Sequence, residues 1–324
     1  LEVWAWPSRK RLWRSEEAGW VLHAQFTPDG KRLVAGGRDG VLRVFGVDLG
    51  ERLRAMPVHS EIFCLAVHPA GELIATGGGD GRVSLWHAGT GERLWGRQAS
   101  PYGLHGVCFV GDAWIATPTE RPFTQIWSVS DGSRERLLAE RYQNGTAHVF
   151  ATPDGRHLIV GAGHTAYVYE TRTWSLRARW DMYAAVNDIA IHPSGTRFAS
   201  LAPGGHVSEW PLGIPDPLIL RGPIDDVGAV AYAPSGAVFV TGGLGGEIRM
   251  WDARTREHMR TWIGHRWTLG GLAVSPDSRL VAGSDGMGEV VVWDVETDDV
   301  RHRLIAHEGT GWCCAFLPDG KRLV

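Results

Sequence analysis

Apolar and polar residues alternate along the chain in short runs, the pattern of half-buried β-strands. One stretch has apolar-alternating runs at 63–67, 73–76, 83–86 and 93–95. A proline turn at Pro69, a glycine-rich segment at 78–81 and a turn at Gly91 separate these runs. Glycine tolerates the positive φ that tight hairpins need. No stretch has the 3.6-residue period of a helix, so the pattern predicts four short strands joined by tight turns.

The same stretch recurs along the whole chain. Pro-(Asp/Ser/Ala)-(Gly/Ser) turns begin at Pro28, Pro69, Pro153, Pro193, Pro234, Pro276 and Pro318, and 110–112 is a degenerate copy. An aromatic residue ends the third run of each copy, at Trp4, Phe45, Trp86, Trp127, Tyr169, Trp210, Trp251 and Trp293. Successive members are 41 or 42 residues apart. Four strands in about 40 residues predict one blade of an all-β propeller per repeat.

These residues resemble the WD-repeat family over essentially the whole chain. Trp251-Asp252 and Trp293-Asp294 are the literal WD pairs, and Gly264-His265 is the GH element. The resemblance implies a closed β-propeller of four-stranded antiparallel blades. It also implies a hydrogen-bonded structural tetrad in the second repeat, formed by His59, Thr76, Asp80 and Trp86.

Other repeats lack members of this tetrad. The first repeat keeps Asp39 but has Ala35 at the hydroxyl position, and the seventh keeps His265 but has Met287 where Asp80 stands. The fifth and sixth repeats have Gly204 and Gly245 at the Asp80 position. We therefore expect these blades to depend on apolar packing.

The two ends of the sequence bear on the number of blades. Residues 318–324 nearly duplicate 28–34, and residues 1–4 match the run that ends at Phe45. We expect a single domain over 1–324 with eight blades, the eighth closed by strands within 1–14 pairing with strands within 307–324. The alternatives are seven blades, or a section of a longer array.

Composition narrows the function and the compartment. The net charge of −3 disfavours a nucleic-acid surface, and no apolar run reaches the length that spans a membrane. The four cysteines include no CxxC pair, which favours a reducing cytoplasm. Only 3 of the 33 basic residues are lysine, and we interpret this arginine excess as a sign of a GC-rich, bacterial genome.

A set of aromatic residues just before the first strands is the candidate binding surface. This segment lies beside the hairpin loops on the narrow face expected for the fold, and it carries Trp20, Phe63, Tyr102, Tyr142, Tyr183, Trp267 and Trp312, with Arg38 and Arg121 at the rim. Trp and Tyr dominate protein-interface hot spots. A second set near the fourth strands, expected to be partly exposed outer packing, comprises Trp13, Trp95, Trp180 and Trp262.

Catalytic and metal motifs are missing from the sequence. No HExxH, GxSxG or P-loop string occurs. Cys313-Cys314 and residues 90–95 resemble parts of the quinoprotein dehydrogenases, but Cys313 aligns with Cys64 in a core position and no calcium cluster is visible. We predict no enzyme activity, no cofactor and no metal site.

The predicted function is a protein-binding platform, acting as a sensor or scaffold module of a larger, possibly bacterial, multidomain protein. Its partner is expected to be another protein or an effector domain of the same polypeptide, with no nucleic acid or membrane involved. Alternatives are small-molecule or peptide binding in the central channel, a spacer role and, remotely, a quinoprotein-type dehydrogenase.

Overall fold

The computed structural model describes residues 1–5, 10–15, 20–119, 123–139, 147–181, 188–202, 206–212, 218–220, 227–243, 245–255, 257–305 and 314–324. The regular elements in these ranges are all β-strands. Contacts divide the chain into two compact units. Unit 1 is Leu1–Trp4 with Lys10–Asp181, and unit 2 is Ala5–Arg9 with Met182–Val324. The single domain over 1–324 stays a prediction.

The first eighteen strands run to the end of unit 1. They are β1 (Glu2–Ala5), β2 (Lys10–Arg14), β3 (Val21–Phe26), β4 (Arg32–Gly37), β5 (Val41–Gly46), β6 (Arg52–Pro57), β7 (Ile62–Val67), β8 (Leu73–Gly78), β9 (Arg82–His87), β10 (Arg93–Gln98), β11 (Cys108–Val110), β12 (Trp114–Pro118), β13 (Phe123–Ser128), β14 (Arg134–Ala139), β15 (Ala147–Ala151), β16 (His157–Ala162), β17 (Thr165–Glu170) and β18 (Ser175–Asp181). Strands β3 to β18 form four antiparallel four-stranded sheets of consecutive strands, which we call blades 1 to 4.

Unit 2 contains the remaining strands. They are β19 (Asp188–Ile191), β20 (Arg197–Ala202), β21 (His206–Pro211), β22 (Leu218–Leu220), β23 (Val227–Tyr232), β24 (Val238–Gly243), β25 (Glu247–Asp252), β26 (His258–Ile263), β27 (Leu269–Val274), β28 (Leu280–Asp285), β29 (Glu289–Asp294), β30 (Val300–Ile305) and β31 (Arg322–Leu323). Strands β19 to β30 form three more sheets of the same kind, blades 5 to 7.

The eighth sheet has three strands in the order β2-β1-β31. The chain therefore has eight sheets, and its fold class is the eight-bladed β-propeller. The prediction of eight blades is confirmed, and the seven-bladed alternative is wrong.

Alternating side chains on both faces of each blade build the core. One buried cluster combines Val34 and Leu42 of blade 1 with Ile62 and Ile74 of blade 2. A second cluster combines Leu85 of blade 2 with residues of blade 3. Because blades 1, 2 and 3 pack face to face in this way, the apolar residues of their inner strands are buried on both faces of the sheet, whereas the fourth strands β6 and β10 are mostly exposed.

The outermost strands are attached to the next blade by tryptophan. Trp13 Nε1 donates to the Val47 carbonyl at 2.8 Å, and Trp95 Nε1 donates to the Val129 carbonyl at 2.9 Å. The Trp95 ring packs on Gly132, whose φ is +69°. Our expectation that the outer tryptophans are partly exposed is wrong, and for Trp13 and Trp95 the loop of the next blade covers the ring. Their exposed fractions are 9% for Trp13, 6% for Trp95, 8% for Trp180 and 4% for Trp262.

Among the described residues, none forms a helix long and apolar enough to span a membrane.

Candidate functional site

In blades 1, 2 and 7 the segment leading into the first strand is hydrogen-bonded to the hairpin between the second and third strands of the same blade. The Arg38 amide donates to the Trp20 carbonyl at 2.9 Å in blade 1, and the Gly286 amide donates to the Thr268 carbonyl at 3.0 Å in blade 7. We call this end of each blade the hairpin end. The backbone bonds hold the side chains there on a rigid support.

Trp20 is the most exposed aromatic residue among the described members of the candidate set. Its exposed fraction is 72%, and the Arg38 guanidinium lies over the ring, 4.8 Å from the centroid. Stacking on a ring face and the backbone bond between the two residues both restrict the arginine side chain. Trp20 and Arg38 therefore present a wide, partly ordered surface with an apolar and a cationic part.

A second aromatic group joins blades 2 and 3. Phe63 is half-buried and stacks on the His105 ring with centroids 4.8 Å apart and an interplanar angle of 13°. The Phe63 ring also covers Gly103, so it lies beside Tyr102, half of whose surface is exposed. Phe63 is thus a support for Tyr102 and His105 more than a free contact residue.

The third group lies in blade 7 at the edge of the preceding blade. Trp267 and Met287 are 57% and 58% exposed, and the Thr268–Gly286 backbone bond holds their two loops together. Ile263, four residues before Trp267, is 80% exposed. The sequence analysis missed Met287 as a surface residue, because it compared that position only with Asp80.

Four of the nine predicted binding residues lie outside the described residues. These four are Arg121, Tyr142, Tyr183 and Trp312. The described five fall into the three groups above, two in unit 1 and one in unit 2.

Behind the second group, four polar side chains of blade 2 form a continuous hydrogen-bonded chain. The Trp86 indole donates to Thr76 Oγ1 at 3.0 Å, and Thr76 Oγ1 lies 2.9 Å from His59 Nε2. His59 Nδ1 lies 3.0 Å from Asp80 Oδ1. Because indole only donates and carboxylate only accepts, the hydroxyl donates to Nε2 and Nδ1–H donates to Asp80.

Comparison with known proteins agrees with this geometry. The family model described as "WD domain, G-beta repeat" matches residues 10–46, 50–87, 218–252 and 256–294. The chain contains four WD repeats. A designed protein named Ika8, whose crystal structure is known, has the same fold, with a TM-score of 0.80 at 20% identity, covering 95% of this chain and 96% of that one.

The natural relatives are similar at low identity. The target of rapamycin complex subunit wat1 of Schizosaccharomyces pombe is 23% identical over 220 residues, which cover 65% of this chain and 70% of the relative. The guanine nucleotide-binding protein subunit beta-1 of Nicotiana tabacum is 24% identical over 296 residues, 82% of this chain and 78% of the relative. Both relatives are named as subunits.

In the seventh WD repeat, the acidic partner of His265 differs from the sequence-based expectation. Met287 indeed offers His265 no carboxylate, but Asp285, two residues earlier, replaces it. Asp285 Oδ2 lies 3.1 Å from His265 Nδ1, and Asp285 Oδ1 accepts the amides of Met287 and Glu289. The role of Asp285 was not predicted, because a repeat alignment places the acidic residue only at the position of Asp80.

The incomplete WD repeats also keep part of the network. Trp127, Trp210 and Trp251 donate to the hydroxyls of Thr117, Ser200 and Thr241 at 2.9, 2.7 and 3.1 Å. The fifth and sixth blades therefore combine the apolar packing that we expect with one buried hydrogen bond each. The hydroxyl position is ten residues before each tryptophan, a spacing visible in the sequence.

The described cysteines are core thiols. Burial raises the pKa of Cys64, and raises that of Cys108 to about 12. Cys314 is buried with Sγ 3.7 Å from the Ala282 carbonyl, while Cys313 lies outside the described residues. Thiols with such a pKa are poor nucleophiles at neutral pH.

One group of side chains among the described residues has the geometry of metal ligands. His265, Asp285 and Glu289 place one ligand atom each within 4.8 Å of one another. Burial lowers the pKa of His265, although the nearby Asp285 and Glu289 carboxylates act to raise it. No sequence motif indicates this group, because His265 lies in a loop whereas Asp285 and Glu289 belong to a hairpin about 20 residues later.

Proposed function

We propose that this WD-repeat protein is a platform that binds another protein through the exposed aromatic groups at the hairpin ends of its blades, and that it is not an enzyme. The observation that carries the proposal is the exposure of Trp20, Tyr102 and Trp267 on rigid loops. The names of two relatives as subunits of larger assemblies support it.

Exposed tryptophan side chains favour binding because a partner can cover their apolar area. An exposed aromatic ring contributes little to the stability of the free protein, whereas covering it with a partner removes a large apolar area from water. Trp20 is already oriented by Arg38, and Trp267 by the loop bond to Gly286, so little side-chain entropy is lost on binding. Tryptophan, tyrosine and arginine are also the residues that dominate measured hot spots.

The finer proposal concerns the setting. We place the chain in the cytoplasm as a sensor or scaffold module, with a separate protein or an effector domain of the same polypeptide as its partner. Cys64 and Cys108 are free thiols, which fits a reducing compartment. The net charge of −3 supports a protein partner over nucleic acid or an anionic membrane. The arginine excess supports a bacterial source.

The test is differential capture from native bacterial lysate. Wild-type chain is compared with the Trp20→Ala and Trp267→Ala variants and with a Leu49→Ala control. Leu49 is 81% exposed but lies in the β5–β6 turn, at the opposite end of blade 1 from Trp20. The proposal expects at least one protein that wild type and the Leu49 variant retain and an aromatic variant loses. Identical capture by all four chains contradicts it.

A further inference from the structure

We propose that His265, Asp285 and Glu289, at the hairpin end of blade 7, bind one divalent cation of the zinc type. His265 Nδ1 lies 3.1 Å from Asp285 Oδ2 and 4.0 Å from Glu289 Oε2. A tetrahedral zinc site, with bonds of about 2.0–2.2 Å to nitrogen and oxygen, separates its ligand atoms by roughly 3.4 Å. Small movements of Glu289 therefore bring the three atoms to ligand spacing, and a water molecule completes the site.

Hydrogen bonds outside the triad already orient its ligand atoms. Asp285 Oδ1 accepts two backbone amides, which leaves Oδ2 directed at the imidazole. Glu289 Oε1 accepts from Arg303 Nη1 at 2.8 Å, which leaves Oε2 for the cation. Outer-shell bonds of this kind fix metal ligands and strengthen metal binding.

The burial of the three side chains favours a bound cation. The side chains of His265 and Asp285 are 0% and 1% exposed, and that of Glu289 is 19% exposed. Two carboxylates here face one guanidinium, that of Arg303. Surplus negative charge in a buried place is costly unless it is paired, and a divalent cation pairs it.

His265 differs from His59 of blade 2 in the partner of its Nε2 atom. In blade 2 the Thr76 hydroxyl binds His59 Nε2 and keeps the ring proton on Nδ1. Blade 7 has Gly283 at that position, and His265 Nε2 has no partner among the described residues. No hydroxyl donates to Nε2, so Nε2 can take up the ring proton when the cation displaces it from Nδ1, and the neutral imidazole then binds the cation through the Nδ1 lone pair.

The second carboxylate also distinguishes blade 7 from blade 2. Glu289 is the first residue of β29, and Arg82 occupies the same position of β9 in blade 2. Blade 6 has Glu247 at that position, where it pairs with Arg249 at 3.0 Å. Glu247 is therefore a matched acidic control for Glu289.

The test is zinc titration of the complete chain by calorimetry in a non-chelating buffer near neutral pH, with thermal unfolding in parallel. We expect one site per chain in wild type and a higher melting temperature with zinc. Glu289→Gln should weaken binding by at least about tenfold. Glu247→Gln and the blade 2 variant Asp80→Asn should bind as wild type does. The absence of a site in wild type overturns the proposal, and so does equal binding by the Glu289 variant or equal loss in the Glu247 variant.

A second measurement covers the case in which the Glu289 variant does not fold. Wild type is then loaded with Co²⁺, whose visible absorption is intense in a tetrahedral nitrogen and oxygen site and weak in an octahedral one. Intense absorption that added zinc removes supports the triad. Weak absorption, or intense absorption unaffected by zinc, contradicts it. Neither result depends on the proposed protein partner.

Discussion

At the scale of single residues, two buried threonines in blades 2 and 3 show that the contribution of a hydroxyl to stability depends on its hydrogen-bond partners. Thr76 accepts from Trp86 and contacts His59, and it is fully buried. Thr124 is equally buried, but its hydroxyl has no partner among the described residues. A satisfied hydroxyl contributes to stability, whereas an unsatisfied one costs the desolvation of a polar group.

Replacing each threonine by the isosteric valine separates these cases. Thr76→Val leaves His59 Nε2 and the Trp86 indole without their partner, so the free energy of unfolding should fall by about 1–3 kcal/mol. Thr124→Val should be neutral or stabilising. Urea unfolding at pH 7 measures both. Equal losses in the two variants would show that the blade 2 network adds nothing beyond packing.

Asp29 in the β3–β4 turn supplies a prediction on pH. The Thr27 hydroxyl donates to Asp29 Oδ1 at 2.5 Å and the Lys31 amide at 3.0 Å, and the Thr27 bond is the main cause that lowers the pKa of Asp29 below 3.8. A lowered folded-state pKa means that this carboxylate stabilises the fold above the unfolded pKa and stops doing so as pH falls through the folded pKa.

Carboxyl NMR titration tests this assignment. Thr27→Val should raise the pKa of Asp29 toward its ordinary value, because the side-chain donor is lost. Asp131 is the internal control: its pKa is lowered mainly by the Ser133 amide and hydroxyl, so Thr27→Val should leave it unchanged. An unchanged pKa of Asp29 in the variant would refute the role of the hydroxyl.

At the scale of the elements, the outermost strand of a blade depends on a glycine in the next blade. Gly132 has φ +69°, and a Cβ there would lie 2.6 Å from Trp95 Cδ2. Gly111 has φ +58°, but a Cβ there meets nothing within 4 Å. The two glycines share the backbone conformation and differ in what covers them.

The pair Gly111→Ala and Gly132→Ala isolates the packing of Trp95. Both variants carry the cost of an L-residue in the left-handed region, about 1–2 kcal/mol. Gly132→Ala must also displace the Trp95 ring and its bond to Val129, so its loss of stability should be clearly larger. Thermal or urea unfolding compares them, and a loss no larger than that of Gly111→Ala would argue against the tryptophan attachment.

Element boundaries follow from the sequence better than side-chain partners do. The 41-residue period and the alternation within each repeat predict the four strands of blades 1 to 7, because strand pairing within these blades is local. The partner of His265 does not follow, since a carboxylate at residue 285 reaches the imidazole as well as one at position 287. Repeat alignment compares positions, whereas hydrogen bonding depends only on the final distance between atoms.

At the scale of the whole molecule, the eight repeats give one recurring scaffold, and function depends on where they differ. Exposed Trp20 and Trp267 occur at the hairpin ends of two blades, whereas Phe63 is half-covered by its neighbours. The sequence places all three before or at first strands, but it does not show which loop of the next blade covers a ring. The candidate surface was therefore predictable as a region and not residue by residue.

The measurement that tests the binding account most directly is affinity against stability for the same variants, using the partner that differential capture identifies. Trp20→Ala and Trp267→Ala should each weaken binding by about 1–4 kcal/mol. Their free energies of unfolding should change by about 1 kcal/mol or less, since the removed rings are exposed.

Trp251 is the core reference in that comparison. It is 4% exposed, donates to Thr241 and stacks on Phe239, so Trp251→Ala should destabilise the fold by about 3–5 kcal/mol. The account predicts that binding and stability separate, with the exposed tryptophans acting on affinity alone. Loss of stability at Trp20 and Trp267 as large as at Trp251, together with unchanged affinity, would contradict it and place the partner elsewhere on the molecule.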